Sequence, residues 1–219
     1  MQRKDNDDIN NDLFEFIDSI GSEVNNNKNN NKKHMVIFYE ESKSARNVEF
    51  RFIKNGLLKN EHCIYTVAEE EEEEEDVISF IEREMSDYGI DVDKYKNKNN
   101  LLHIYYTPYT LHIYEDIIKK RETILNTLLA GLKPPFRITN MLVPESKTRE
   151  QIRANIKIER KIHHDFNNNR FPGSLMCSYS IKNIINDITG NWMRNMLLNH
   201  HTAIFLPKLS NGLVLNLLS

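Results

Sequence analysis

Glu159 is the residue whose position most needs a chemical explanation. It lies in TREQIRANIKIERKIHHDF (148–166). At about 100° per residue, Ile152, Ile156, Ile158, Ile162 and Phe166 share one side of this helix, and Arg149, Arg153, Lys157, Arg160 and Lys161 share the other. Glu159 falls near the middle of the apolar side. A carboxylate there is costly to bury alone, so it is expected to be hydrogen-bonded, ion-paired, protonated or lining a polar cavity. Two readings stay open: a buried structural pair, with Arg137 on the preceding strand as the partner, or an acid in a ligand pocket.

Other residues that could do chemistry lack the spacing for it. His163 shares the apolar side with Glu159, and His200-His201 closes another helix. There is no H-E-x-x-H and no Cys/His pair at finger spacing, and adjacent helical histidines point in different directions, so no metal is expected. Cys63 in HCIYTV and Cys177 in LMCSY read as inert thiols buried in apolar strands. With only two cysteines and no C-x-x-C, neither a disulfide framework nor a redox pair is expected, which fits a reducing cytoplasm. G-x-S-x-G, G-x-x-x-x-G-K-[ST] and G-x-G-x-x-G are all absent, and the chain has only seven Gly in 219 residues. No catalytic residue and no cofactor are therefore expected.

The elements that must position these residues alternate in period. HMVIFY (34–39), HCIYTV (62–67), LLHIYY (101–106), FRITNMLV (136–143), SLMCSY (174–179) and AIFL (203–206) read as strands. Helices are expected at 42–59, 76–88, about 111–130, about 148–166 and about 181–199. A last run, LVLNLL (213–218), follows the turn SNG and is expected to pair antiparallel with the strand before it. Strands alternating with helices predict an α/β fold with a mainly parallel central sheet.

Residues 1–33 read as an N-terminal appendage and 34–219 as the domain proper. NNNKNNNKK (25–33) cannot bury enough apolar surface to offset its ordering entropy and is expected to be a flexible linker. Before it, Leu13, Phe14, Phe16, Ile17 and Ile20 recur at helical spacing, with Asp12 as N-cap and Gly21 as stop. This helix is expected to fold back onto its own domain rather than serve a separate partner.

Net charge is -3, too balanced for a nucleic-acid coat. The charge is uneven along the chain. Residues 61–93 hold 14 acids, including seven consecutive Glu from Glu69 to Glu75, against one base, while residues 94–219 hold 18 bases and 8 acids. The Glu run reads first as a solvated loop. The basic face of 148–166 has neither a helix-turn-helix nor an aromatic platform beside it, so no direct nucleic-acid contact is expected. No apolar run approaches the roughly 18 residues of a membrane span, and the charged N-terminus is no signal peptide.

The segment HMVIFYEESKSARNVEFRFIKNGLLKNEHCIYTVAEE resembles the opening of the MEDS domain, the sensory domain named for methanogens, methylotrophs and a dichloromethane-responsive repressor. The matching residues are His34, Tyr39-Glu40, Phe52, Gly56-Leu57, Asn60-Glu61 and Cys63-Ile64-Tyr65. The likeness continues through GIDVDKY (89–95), Arg137 to Met141, Ile158-Glu159, LMCSYSIKNI (175–184) and NHHTAIF (199–205). It implies a RecA/KaiC-like three-layer sandwich that has lost its nucleotide signature. Glu40 to Ser44 (EESKS) stands where a RecA-type protein puts its phosphate loop, yet it lacks glycine and adds two negative charges, and Asn140 offers no metal-holding acid.

The resemblance implies a stand-alone cytoplasmic sensory or regulatory domain for signal transduction or transcription control, without ATPase activity. It would bind a small-molecule ligand, or act through a protein partner or self-association as a homo-oligomer. In a parallel sheet ligands bind at the C-terminal strand ends, and the pocket is expected there, surrounded by His34, Tyr39, Glu40, Glu159 and Tyr179. The alternatives are a scaffold that binds protein through its acidic segment and a divergent nucleotide hydrolase.

Overall fold

A computed structural model describes residues 4–20, 33–67, 74–106, 119, 123, 125–139, 149–168, 170–181, 191–206 and 212–217. The elements are α1 (Lys4–Ser19), β1 (His34–Tyr39), α2 (Ser42–Leu58), β2 (His62–Val67), α3 (Glu74–Asp87), a π-helical turn (Asp93–Lys98), β3 (Leu102–Tyr106), β4 (Phe136–Thr139), α4 (Arg149–Asn167), β5 (Gly173–Ser180), α5 (Asn191–Leu198), β6 (Thr202–Leu206) and β7 (Leu213–Asn216).

The seven strands form one sheet in the order β3-β2-β4-β5-β1-β6-β7. Every pairing is parallel except that of β6 with β7. This is the expected α/β architecture, with its C-terminal antiparallel pair. β1 reads as a continuous apolar run rather than an alternating one because helices cover both faces of the sheet. One face carries Met35, Ile37, Cys63, Tyr65, Met176 and Ile204, packed with apolar side chains of α1, α2 and α3. The other carries Val36, Phe38, Ile64, Ile138, Cys177 and Tyr179, packed with α4 and α5 through Ile158, Ile162, Phe166, Trp192 and Met196.

The first helix docks on its own domain. Leu13, Ile17 and Ile20 are buried, each burial stabilising by roughly 1.5–3 kcal/mol relative to exposure. Asp18 then clips the helix to α2: its carboxylate accepts from Arg51 Nε at 2.8 Å and Nη2 at 2.5 Å, and from Asn55. The helix starts at Lys4, so Asp12 lies in its interior and is not the N-cap expected of it. Asp5, Asp7 and Asp8 lie in its first turns, where carboxylates complement the positive end of the helix.

Several expectations lie partly or wholly outside the described residues: Gly21 as the stop of the first helix, all but the last residue of the linker 25–33, most of the Glu run, most of the helix at 111–130, Asn140 with the end of its strand, and residues 182–190. The π-helical turn at Asp93–Lys98 carries no sequence signal of its own. It buries Tyr95 and ends where Asn99 N–H donates to the Lys94 carbonyl at 2.9 Å.

Candidate functional site

Period-two alternation decides which strand residues can meet. β1 and β5 are in register with His34 opposite Leu175, Val36 opposite Cys177 and Phe38 opposite Tyr179. His34, Cys177 and Tyr179 therefore rise from one face of the sheet. Glu159 descends on them from the apolar side of α4. His200 enters from the junction between α5 and β6, where its Nδ1 meets the Met196 carbonyl at 2.6 Å, a carbonyl of the helix end that also accepts the Asn199 N–H at 3.1 Å.

The result is a fully buried polar cluster. His34, Glu159 and Cys177 have no exposed surface and His200 has 1%. His34 Nε2 lies 3.1 Å from Glu159 Oε2, and His200 Nε2 lies 3.3 Å from the same oxygen. Cys177 Sγ is 3.8 Å from both His34 Nε2 and Glu159 Oε2. The Tyr179 hydroxyl donates to Glu159 Oε1. Phe166 stacks on the His34 ring with centroids 5.2 Å apart, closing the cluster from one side.

The electrostatics follow from that burial. Burial, reinforced by the neighbouring His200, pushes the His34 imidazole down to about 3, so the ring is neutral. Burial alone would raise the Glu159 carboxyl, but His200 and His34 outweigh it and hold the carboxyl well below its usual range. Farther out, His163 and His201 are half-buried, with ring centroids 5.0 Å apart, and His163 stands 6.2 Å from His34. His201 Nδ1 accepts the backbone N–H of His34 at 3.0 Å, and burial lowers that ring to about 4.

Of the five residues expected at the site, the structure brings three together: His34, Glu159 and Tyr179. Tyr39 and Glu40 do not join them. Tyr39 packs with the core on the opposite face, as its odd place in β1 requires, and Glu40 follows the strand's far end, donating its N–H to the Leu206 carbonyl at 3.1 Å. His34 opens β1, so the cluster lies over the sheet face rather than at the C-terminal strand ends. Arg137 is not the partner of Glu159 either. It alternates with Phe136 and Ile138 onto the other face, where it is paired with Glu61 and donates to the carbonyls of Phe52 at 2.9 Å and Ile20 at 2.6 Å.

Sequence reasoning read Cys177 as an inert buried thiol and set His200 aside, so neither was placed at the site. The available signal was parity: in the run 174–179, Cys177 shares a face with Tyr179, as His34 does with Val36 and Phe38. A second buried carboxylate was also missed. Glu49 of α2 accepts from the Tyr65 hydroxyl at 2.8 Å and the Ser178 hydroxyl at 2.5 Å on the α1–α3 face.

Comparison with known proteins bears on the fold and the family. No curated protein matches the chain. Among solved structures, a KaiC-like protein from the hyperthermophilic archaeon Pyrococcus horikoshii OT3 superposes with a TM-score of 0.56 at 13% identity, over 84% of this chain and 79% of that one. At that identity the likeness speaks for the fold alone, a KaiC-like α/β sandwich. The pattern of the MEthanogen/methylotroph, DcmR Sensory domain matches residues 33–201, from the residue before His34 to the second of the paired histidines, and the chain belongs to this MEDS family of sensory domains.

Proposed function

We propose that this chain senses a small ligand or a protein partner and transmits its state in signal transduction or transcription control, without hydrolysing ATP. The observation that carries the reading is the buried cluster of Glu159, His34, Cys177, His200 and Tyr179. It ties two strands, one helix and a helix–strand junction through ionisable groups held out of water. Such a cluster responds to occupancy or protonation by moving packed elements, which suits a sensor better than turnover on an exposed substrate.

The turn after β1 supports the absence of ATPase activity. Only Glu40 and Glu41 separate β1 from α2, against the eight residues of a phosphate-cradling loop motif. The Glu40 N–H is bonded to Leu206, and the Ser44 and Ala45 N–H groups to the Glu41 carbonyl. A phosphate there would meet two carboxylates and amides already engaged. The unit we assign to sensing is 34–219, with residues 1–33 as its N-terminal extension. No helix among the described residues is long and apolar enough to cross a membrane.

Calorimetry with ATP and magnesium, paired with phosphate release on the same sample, tests the proposal. No saturable heat and no turnover are expected. Binding with turnover would overturn it and return the chain to the hydrolases.

A further inference from the structure

We propose that His34, Glu159, Cys177 and His200 form a closed four-ligand site for a divalent transition metal, zinc in the first instance. Their donor atoms all lie within 4.8 Å of one another. Around a tetrahedral zinc, with nitrogen and oxygen at about 2.0–2.1 Å and sulfur at about 2.3 Å, nitrogen and oxygen donors stand about 3.3 Å apart and sulfur about 3.6 Å from each of them. Four of the six edges are 3.1 and 3.3 Å for the two imidazole–carboxylate pairs and 3.8 Å from the thiol to His34 and to Glu159, and the other two lie within 4.8 Å. Those four edges are close to the dimensions of a tetrahedral zinc site.

An independent observation points the same way. His200 Nε2 is buried and takes no hydrogen bond. The Nδ1 of that ring meets the Met196 carbonyl at 2.6 Å, which leaves Nε2 directed at Glu159 Oε2, 3.3 Å away. A cation between that nitrogen and that oxygen would take both as ligands.

Charge fits as well, and His200 and Glu159 carry outer partners, while His34 Nδ1 is buried with none among the described residues. A thiolate and a carboxylate neutralise a divalent cation, and the imidazoles of His34 and His200 add donors without charge, leaving a neutral site suited to burial. Binding displaces the Cys177 thiol proton to solvent while Glu159 enters ionised. The Met196 carbonyl orients His200, and the Tyr179 hydroxyl engages Glu159 Oε1, leaving Oε2 for the metal; such outer contacts are typical of metal centres. The half-buried rings of His163 and His201 lead from the cluster toward the surface. The four ligands come from positions 34, 159, 177 and 200, so no local spacing motif announces them. Four protein ligands leave no open position, so the site would be structural or sensory rather than catalytic.

The test uses the full chain with zinc and cobalt as probes. Protein purified without a metal-binding tag should carry about one zinc per chain. After chelation, Co²⁺ should restore saturable binding, with the intense visible bands of four-coordinate cobalt and a thiolate-to-cobalt charge-transfer band. Cys63 lies on the other face of the sheet, so that band reports Cys177 in the unmutated protein and survives any folding defect of a variant. Cys177→Ser should abolish the band. Tyr179→Phe should keep it while weakening affinity roughly 10–100-fold. A folded, metal-free protein that takes up neither ion overturns the site, as does unchanged affinity in both Cys177→Ser and His200→Gln. The inference does not rest on the sensory reading: ATP turnover would remove that reading and leave this site, and cobalt refusal would do the reverse.

Discussion

Tyr179 and Glu159 join the sheet to α4 through one hydrogen bond, the phenol of β5 donating to Oε1 of a carboxylate with no exposed surface. The bond fixes which oxygen the imidazoles see, since both approach Oε2. A hydrogen bond to a charged group contributes about 1.5–3 kcal/mol, and removing one partner strands the other. Tyr179→Phe should therefore lower stability in urea by that amount with an unchanged denaturant slope. Combined with Glu159→Gln, the loss should fall short of the sum of the single losses, because both changes remove the same interaction. Strict additivity would show that the two side chains are not coupled.

Gly56 is required by its neighbours rather than by its backbone. A Cβ there would stand 2.5 Å from Arg137 Cδ and 2.7 Å from Cys63 Sγ. Arg137 cannot retreat, because its guanidinium is committed to Glu61 and two carbonyls. Gly56→Ala should thus destabilise by about 1–3 kcal/mol, the usual cost of overpacking a core. Adding Cys63→Ala opens space on one side, so the double variant should recover part of that loss. Thermal or urea unfolding of the two proteins side by side checks it.

Both cysteines should be silent toward a thiol reagent in the native state. Cys63 and Cys177 have no exposed surface, and burial pushes the Cys63 thiol far up, away from the reactive thiolate. The expected result is no reaction with a disulfide reagent under native conditions and two thiols per chain in denaturant. Fast native labelling of either one would mean that the sheet opens locally far more often than its burial implies.

The strands and the three-layer plan were legible because parallel strands covered on both faces are short continuous apolar runs, and HMVIFY and HCIYTV are such runs. Glu159 was legible because a carboxylate in an apolar stripe demands a partner. Its partner was not legible. Choosing His34 and His200 over Arg137 requires knowing which face Arg137 occupies and that β5 lies between β4 and β1, and strand order is a long-range property that no local window carries. Tyr39 and Glu40 were misplaced for a more local reason. They neighbour His34 in sequence, but one follows strand parity to the other face and the next lies beyond the strand.

The contact of α1 with α2 should weaken in acid. Hydrogen bonds from Arg51, with a further one from Asn55, hold the Asp18 carboxyl below its usual 3.8, against the opposing effect of burial. A carboxyl whose folded value is depressed stabilises the folded form fully above its unfolded value, and that contribution disappears as pH falls through the folded one. Asp18 is 43% exposed, so solvent screening limits the effect to about 1 kcal/mol or less. Hydrogen exchange of the α1 amides, followed from about pH 5 to about pH 3, should show protection falling in α1 before it falls in β1. Asp18→Asn should start with lower protection in α1 and lose the difference between the two elements across that window. Equal acid sensitivity in the variant would assign the release of α1 to another group.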